Sequence, residues 1–145
     1  MRKMLGLGLV GLIGVLGVGA VGSAQDHHEG PHKGILVEWG DEEYHPEIVV
    51  DQKAGAVTVY VYGNHDDLHK KKLKAIDSKS LTLLLKNTTP PTAVKLEPAP
   101  EKTDPKGSST RFVGKSDVFT KAVKWEGTIS GKVGTKPYSG DFKQK

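Results

Sequence analysis

The residues from 34 onward predict an all-β fold, on three observations. Apolar and polar side chains alternate with period two in three successive runs: Ile35, Val37 and Trp39; Tyr44, Ile48 and Val50; Val57, Val59 and Val61. Alternation of that kind marks strands with one face in a core and one in solvent. The apolar runs are short and separated by turn residues, and a single segment, after Ser116, has helical spacing. Together these describe an immunoglobulin-like β-sandwich of about seven to nine short strands with one short helix near 117–123.

At the amino terminus, Arg2 and Lys3 precede a stretch with no further charge until Asp26, built from Leu, Val, Ile, Gly and Ala. A positive start, an apolar stretch and the small residues Gly22, Ser23 and Ala24 have the form of a secretory leader, residues 1–24, with cleavage expected after Ala24. The alternative is a retained membrane anchor, since Met4 to Gly22 approaches the length of about 20 residues that a spanning helix needs. Six glycines from Gly6 to Gly19 lower its apolarity and helix propensity, which favours removal. The chain is expected to be exported, periplasmic or secreted, and to meet a membrane only if the leader is retained.

Residues 25–33 are polar, His-bearing and interrupted by Pro31, so a flexible arm is expected there, followed by one domain over 34–145. Asp51 to Gly55 supplies turn chemistry between the second and third runs and predicts a hairpin. If residues 50 and 56 paired directly, Ile48 would face Thr58 and the two apolar faces would not match. An offset register or a bulge would correct this. Further strands are expected at about 80–86, 93–97, 110–114, 125–132 and 136–142. Pro90, Pro91, Pro98, Pro100 and Pro105 bracket the 93–97 piece, which therefore reads as an edge strand or a loop. Ser116 is placed to cap a helix whose Val118, Phe119, Ala122 and Val123 share a face. Trp39 and Trp125 are expected as core anchors.

Composition excludes several functions. The chain has no Cys, which removes thiol catalysis, thiolate zinc sites, redox switching and a Cys-linked lipid anchor. Loss of Arg2 and Lys3 with the leader lowers the formal net charge by two from +4. The cluster Lys70, Lys71, Lys72 and Lys74 is a solvated face, and no nucleic-acid partner is expected. There is no nucleophile elbow, and the Gly127 to Lys132 stretch lacks the spacing and hydroxyl residue of a phosphate loop. The chain reads as not an enzyme.

All six histidines, His27, His28, His32, His45, His65 and His69, lie between residues 27 and 69. Imidazole binds copper, zinc and nickel, and the acids of the same region add oxygen donors. Cleavage after Ala24 would create the terminus Gln25-Asp26-His27, whose amine, amides and imidazole suit a square-planar Cu(II) or Ni(II) site. Cleavage one residue later would put His28 third, and cyclisation of Gln25 would remove the first version. His45 and Glu47, about 6.6 Å apart along a strand, point to one side. His32, on the Gly- and Pro-bounded approach to the first strand, could fold back to complete a His, His, Glu set. His65 and His69 follow the turn-like Gly63-Asn64, so a loop tip is expected there and their metal role ranks last.

The opening GPHKGILVEWGDEEYHPEIVVD, the AGAVTVYVY run, KAIDSKSLTLLL, GSSTRF and GTISGKVGTKPYSGDF together resemble a group of small exported bacterial proteins. The likeness spans nearly all of the chain after the leader and implies fold and export more than activity. The GPH-x-G opening with a following E-Y-H is also similar to segments attached to periplasmic adaptor subunits of heavy-metal efflux systems, which implies metal handling by His32 and His45. Those segments often carry a second Gly where this chain has Lys33.

The expected function is therefore an exported protein that binds a divalent metal, copper or zinc, and buffers it or hands it on. The metal site is His32, His45 and Glu47, with His27 and His28 assisting from the arm, and an envelope or efflux protein is a candidate partner. Neutral imidazole is the binding form, so affinity should fall as pH drops through about 6.5. The alternative is a structural or interaction module of the cell envelope that docks a partner at a sheet edge.

Overall fold

The computed structural model describes residues 29–145; the leader and the site candidates His27 and His28 lie outside the described residues. Eight strands run β1 (Ile35–Leu36), β2 (His45–Asp51), β3 (Ala56–Tyr62), β4 (Leu81–Leu85), β5 (Thr92–Pro98), β6 (Arg111–Lys115), β7 (Glu126–Val133) and β8 (Lys136–Lys143). Every pairing is antiparallel, in the order β1-β2-β3-β6-β5-β4-β7-β8. The fold is all-β. The sheet falls into two four-stranded halves joined where Glu97 and Pro98 pair with Val113 and Phe112 and the Ala99 amide donates to the Arg111 carbonyl. It coils until β8 packs against the segment after β1, where Tyr138 stacks on Trp39 with ring centroids 5.7 Å apart.

The core lies inside this coil. Val57, Val59 and Val61 of β3, Leu81, Leu83 and Leu85 of β4, Leu96, Phe112 and Ile129 all point inward and are buried. Trp39 fills the centre, and its indole N–H donates to the Ile129 carbonyl at 3.2 Å, so its one polar atom is satisfied within the apolar interior. Trp125 packs edge-on against Phe119, 5.6 Å away. Both tryptophans are core anchors.

The β2–β3 hairpin resolves the register question by an offset of one residue. Val50 pairs with Val57 and Ile48 with Val59, so apolar side chains meet across the strands. Asp51 closes the turn by accepting from the Lys53 and Ala54 amides through Oδ1. This register also sets the outward face: His45 pairs with Tyr62 and Glu47 with Tyr60, which places four polar or aromatic side chains on one patch.

Three local expectations are corrected. The 92–98 segment is an interior strand, paired with β4 over Thr92 to Leu96 and with β6 at Glu97 and Pro98. Its prolines sit at or beyond the ends of the ladder, where missing N–H groups cost little. The helix near 117–123 is only a 3-10 turn over Asp117–Thr120, capped by Ser116; Lys121 is already extended and only Phe119 is buried, leaving Ala122 and Val123 in solvent. Residues 65–69, expected as a loop tip, form a one-turn helix, α1 (His65–His69), because the Asn64 side chain accepts from the Asp67 amide at 3.0 Å.

Candidate imidazole sites on the outer face of β2

The first site is built by the GPHKG loop. Glu29 bridges to Ile35, the Gly30 amide donates to the Gly34 carbonyl, and the Lys33 amide donates to the Gly30 carbonyl, so the loop closes on itself. Thus residues 29–33 are tied to the domain. Closure requires Lys33 to adopt φ of 61°, a left-handed conformation that a glycine takes more cheaply. The loop lies directly over the Glu47 carboxyl group. A side chain at Gly30 would overlap that carboxyl, and one at Gly34 would fall 2.9 Å from Glu47 Cγ and 2.5 Å from the Ile48 carbonyl oxygen. Both glycines are needed for close approach.

Glu47 is wholly buried, and its two oxygens are filled by donors. Oε1 accepts from the His32 amide at 2.7 Å and the Gly34 amide at 2.9 Å. Oε2 accepts from His32 Nδ1 at 2.9 Å and the Tyr62 hydroxyl at 3.2 Å. Burial, with the Glu47 carboxylate beside it, pushes the Tyr62 phenol far above its ordinary pKa, so it remains a donor. A carboxylate offers only acceptors, so the neutral His32 ring carries its proton on Nδ1 and leaves the Nε2 lone pair free. That ring stacks on Tyr60 at 3.9 Å with planes 10° apart, and its side chain stays 42% exposed. An open groove lined by His32, Ile35, Val49, Val123 and Gln144 begins beside it.

His45 is also buried and also held through Nδ1, which lies 2.9 Å from the Gly63 carbonyl oxygen. The same reasoning places its proton on Nδ1 and its lone pair on Nε2. No hydrogen bond to that Nε2 occurs among the described residues. Across from it is α1. The His45 and His65 rings are 6.4 Å apart, centre to centre, and His65 Nε2 lies 2.8 Å from His69 Nε2.

The predicted residues therefore divide. His32 and Glu47 are brought into direct contact by the folded-back loop, and His45 shares their face of β2. The His45 ring is anchored at Gly63 and neighbours α1, a proximity that spacing along the sequence did not show. Among the described residues, no three His, Asp or Glu side chains form a group that could hold a metal ion. Tyr62, missed from the sequence, completes the Glu47 network. The alternation of β3 put it on the outer face with Tyr60, where it is covered and bonded to Glu47 and the His32 ring.

A second polar group lies at the β8 edge. Glu43 accepts from Lys136 Nζ at 2.7 Å and from the Tyr138 hydroxyl at 2.6 Å, and these bonds, Lys136 first, hold its carboxyl below the usual range. Glu43 takes one donor on each oxygen, and the Lys136 ammonium stays largely exposed.

No protein-family model, curated protein or solved structure matches the chain.

Proposed function

We propose that the protein is an exported binding protein for a divalent transition metal, copper or zinc, that buffers the ion or hands it on. The observation that carries this reading is the His32–Glu47 pair. Metal-binding imidazoles characteristically donate the second ring N–H to a carboxylate or carbonyl, which fixes the tautomer, orients the ring and raises the basicity of the other nitrogen. His32 has that arrangement with Glu47, and His45 has it with the Gly63 carbonyl. In this reading His32 and His45 supply Nε2 donors. Glu47, its oxygens already filled, acts mainly by positioning His32. His27 and His28 add donors from the preceding segment.

Titration of the purified protein with Cu(II) and Zn(II), repeated with His32→Ala, His45→Ala and Glu47→Gln, tests the assignment. Each His variant should weaken binding at least tenfold, and Glu47→Gln should weaken it between 10- and 100-fold, the range for loss of such a supporting partner. Unchanged affinity in both His variants would overturn it.

A further inference from the structure

We infer that His65 and His69 of α1 form a second metal-binding clamp, with His45 as its third arm, selective for a borderline divalent ion such as Zn(II) or Cu(II) over Mg(II) and Ca(II). The clamp is separate from the His32–Glu47 pair and touches the metal-binding reading above only through His45.

Residues four apart on a helix share a face, and here both imidazoles turn the same nitrogen inward, Nε2 to Nε2 at 2.8 Å with the rings at 87°. Only one proton can lie between them, so at least one lone pair points into the gap. Two nitrogens bound to one ion at about 2.0–2.1 Å in tetrahedral geometry are about 3.3 Å apart. The observed pair needs to open by about half an ångström, which two exposed side chains on a one-turn helix can do by small rotations.

His45 brings the third donor. Its ring centre is 6.4 Å from that of His65, tilted by 56°. Two imidazoles on one tetrahedral ion have centres about 5 Å apart by the same bond lengths, so His45 and His65 need to close by about 1 Å. The connection is direct: Gly63, whose carbonyl holds His45 Nδ1, precedes Asn64, which caps α1. The Asp67 carboxylate is seated over Gly63, where a side chain on that glycine would overlap it. Fixing His45 and starting α1 are thus done by adjacent residues. The lysines 70–72 that follow are exposed, and their charge is screened over about 8–10 Å at ordinary ionic strength, while Asp66 and Asp67 offset it. Three neutral nitrogens and no fixed oxygen donor suit zinc and copper, and suit magnesium and calcium poorly.

Ring 15N spectra of the full protein during addition of Zn(II) test this. The Nε2 signals of His45, His65 and His69 should move together within one equivalent, and His45 Nδ1 should keep its proton. His65→Ala and His69→Ala, both at exposed positions that leave the core intact, should each weaken that binding tenfold or more, whereas His32→Ala should leave it unchanged. Nε2 signals of His65 and His69 that stay put, or equal affinity in the double variant, would overturn the clamp. A His32 Nε2 signal that moves with Zn(II) while those of His65 and His69 stay put would refute the clamp and leave the His32 site standing. Movement of the His65 and His69 signals with His32 Nε2 unmoved would refute the His32 site alone.

Discussion

Replacing Glu47 should release the GPHKG loop from the sheet, and the cost can be worked from its four hydrogen bonds. Glu47→Leu keeps similar bulk but removes every acceptor at once. The His32 and Gly34 amides, 2.7 and 2.9 Å from Oε1, lose their only partner among the described residues and cannot be mutated away. A buried donor left unpaired costs about 1–3 kcal/mol, so these two part-buried amides cost at most roughly 2–6 kcal/mol. Two effects reduce this. Leu avoids the cost of keeping a carboxylate buried, which is several kcal/mol for an ion with poor partners but less for one with four donors. The loop can also swing into water, so the loss cannot exceed the free energy of its local opening. A net loss of about 2–3 kcal/mol results, or a fall in Tm of about 8–12 °C at roughly 4 °C per kcal/mol for a domain of this size. Glu47→Gln should cost only about 1 kcal/mol. Its amide oxygen still accepts from both backbone amides, and the Tyr62 hydroxyl can rotate to accept. Urea and thermal unfolding give the stabilities, and amide exchange at His32 and Gly34 reports the loop. If Glu47→Leu unfolds within about 0.5 kcal/mol of the parent and those amides exchange no faster, the carboxylate does not hold the loop.

Lys33→Gly should stabilise by about 0.5–1 kcal/mol, because relief of a left-handed lysine at φ 61° outweighs the extra freedom glycine gives the unfolded chain; a lowered urea midpoint would contradict this. Acid should destabilise the domain below about pH 4. Asp104 is raised by burial but lowered overall by bonds from the Thr110 and Glu101 amides and the Thr110 hydroxyl. Glu43 is lowered by Lys136 and Tyr138, and Asp141 by the Thr128 hydroxyl and then Lys86. Their folded pKa values lie below the unfolded ones, so their contribution is full above about pH 4 and is lost as pH falls through the lower folded values. A triple variant, Glu43→Gln, Asp104→Asn and Asp141→Asn, should flatten stability between pH 4 and 2, measured by urea midpoints across that range. An unchanged slope would show that these bonds do not set it.

Much of the fold was legible because one rule, period-two alternation, reports directly on burial. It located β2, β3 and β4 to within a residue or two. It could not set the β2–β3 register, since residues 50 and 56 or 50 and 57 close almost equally well and only packing of Ile48 on Val59 decides. Proline density misled for β5 because the count ignores position: a proline at a strand end removes no ladder bond that the strand needs. The helical reading of 117–123 failed because the chain leaves the 3-10 turn at an extended Lys121, and of the four apolar residues on the expected face only Phe119 is buried. The sheet edges bear on the docking alternative in the same way. β1 is two residues long, and β8 carries Lys136, Pro137, Asp141 and Lys143, features that discourage strand addition.

Site residues were legible where chemistry is local and illegible where it depends on what covers what. Spacing placed His45 and Glu47 on one side, and the two glycines around His32 suggested that its loop could fold back. What spacing could not supply is saturation. A carboxylate in a strand looks like an oxygen ligand until four donors are found on it, and then its chemistry changes from binding an ion to aiming an imidazole. The same argument raises the histidines ranked last. His65 and His69 lacked value as a loop tip, but Asn64 turns them into one helix face, and the Gly63 carbonyl sets His45 beside them. Glu47→Gln and His65→Ala therefore probe different physics on one patch: the first should disturb the aim of His32, the second should remove a donor from α1. Additive losses of metal affinity in the double variant would mean two independent sites, and a loss smaller than the sum would mean that His45 couples them into one.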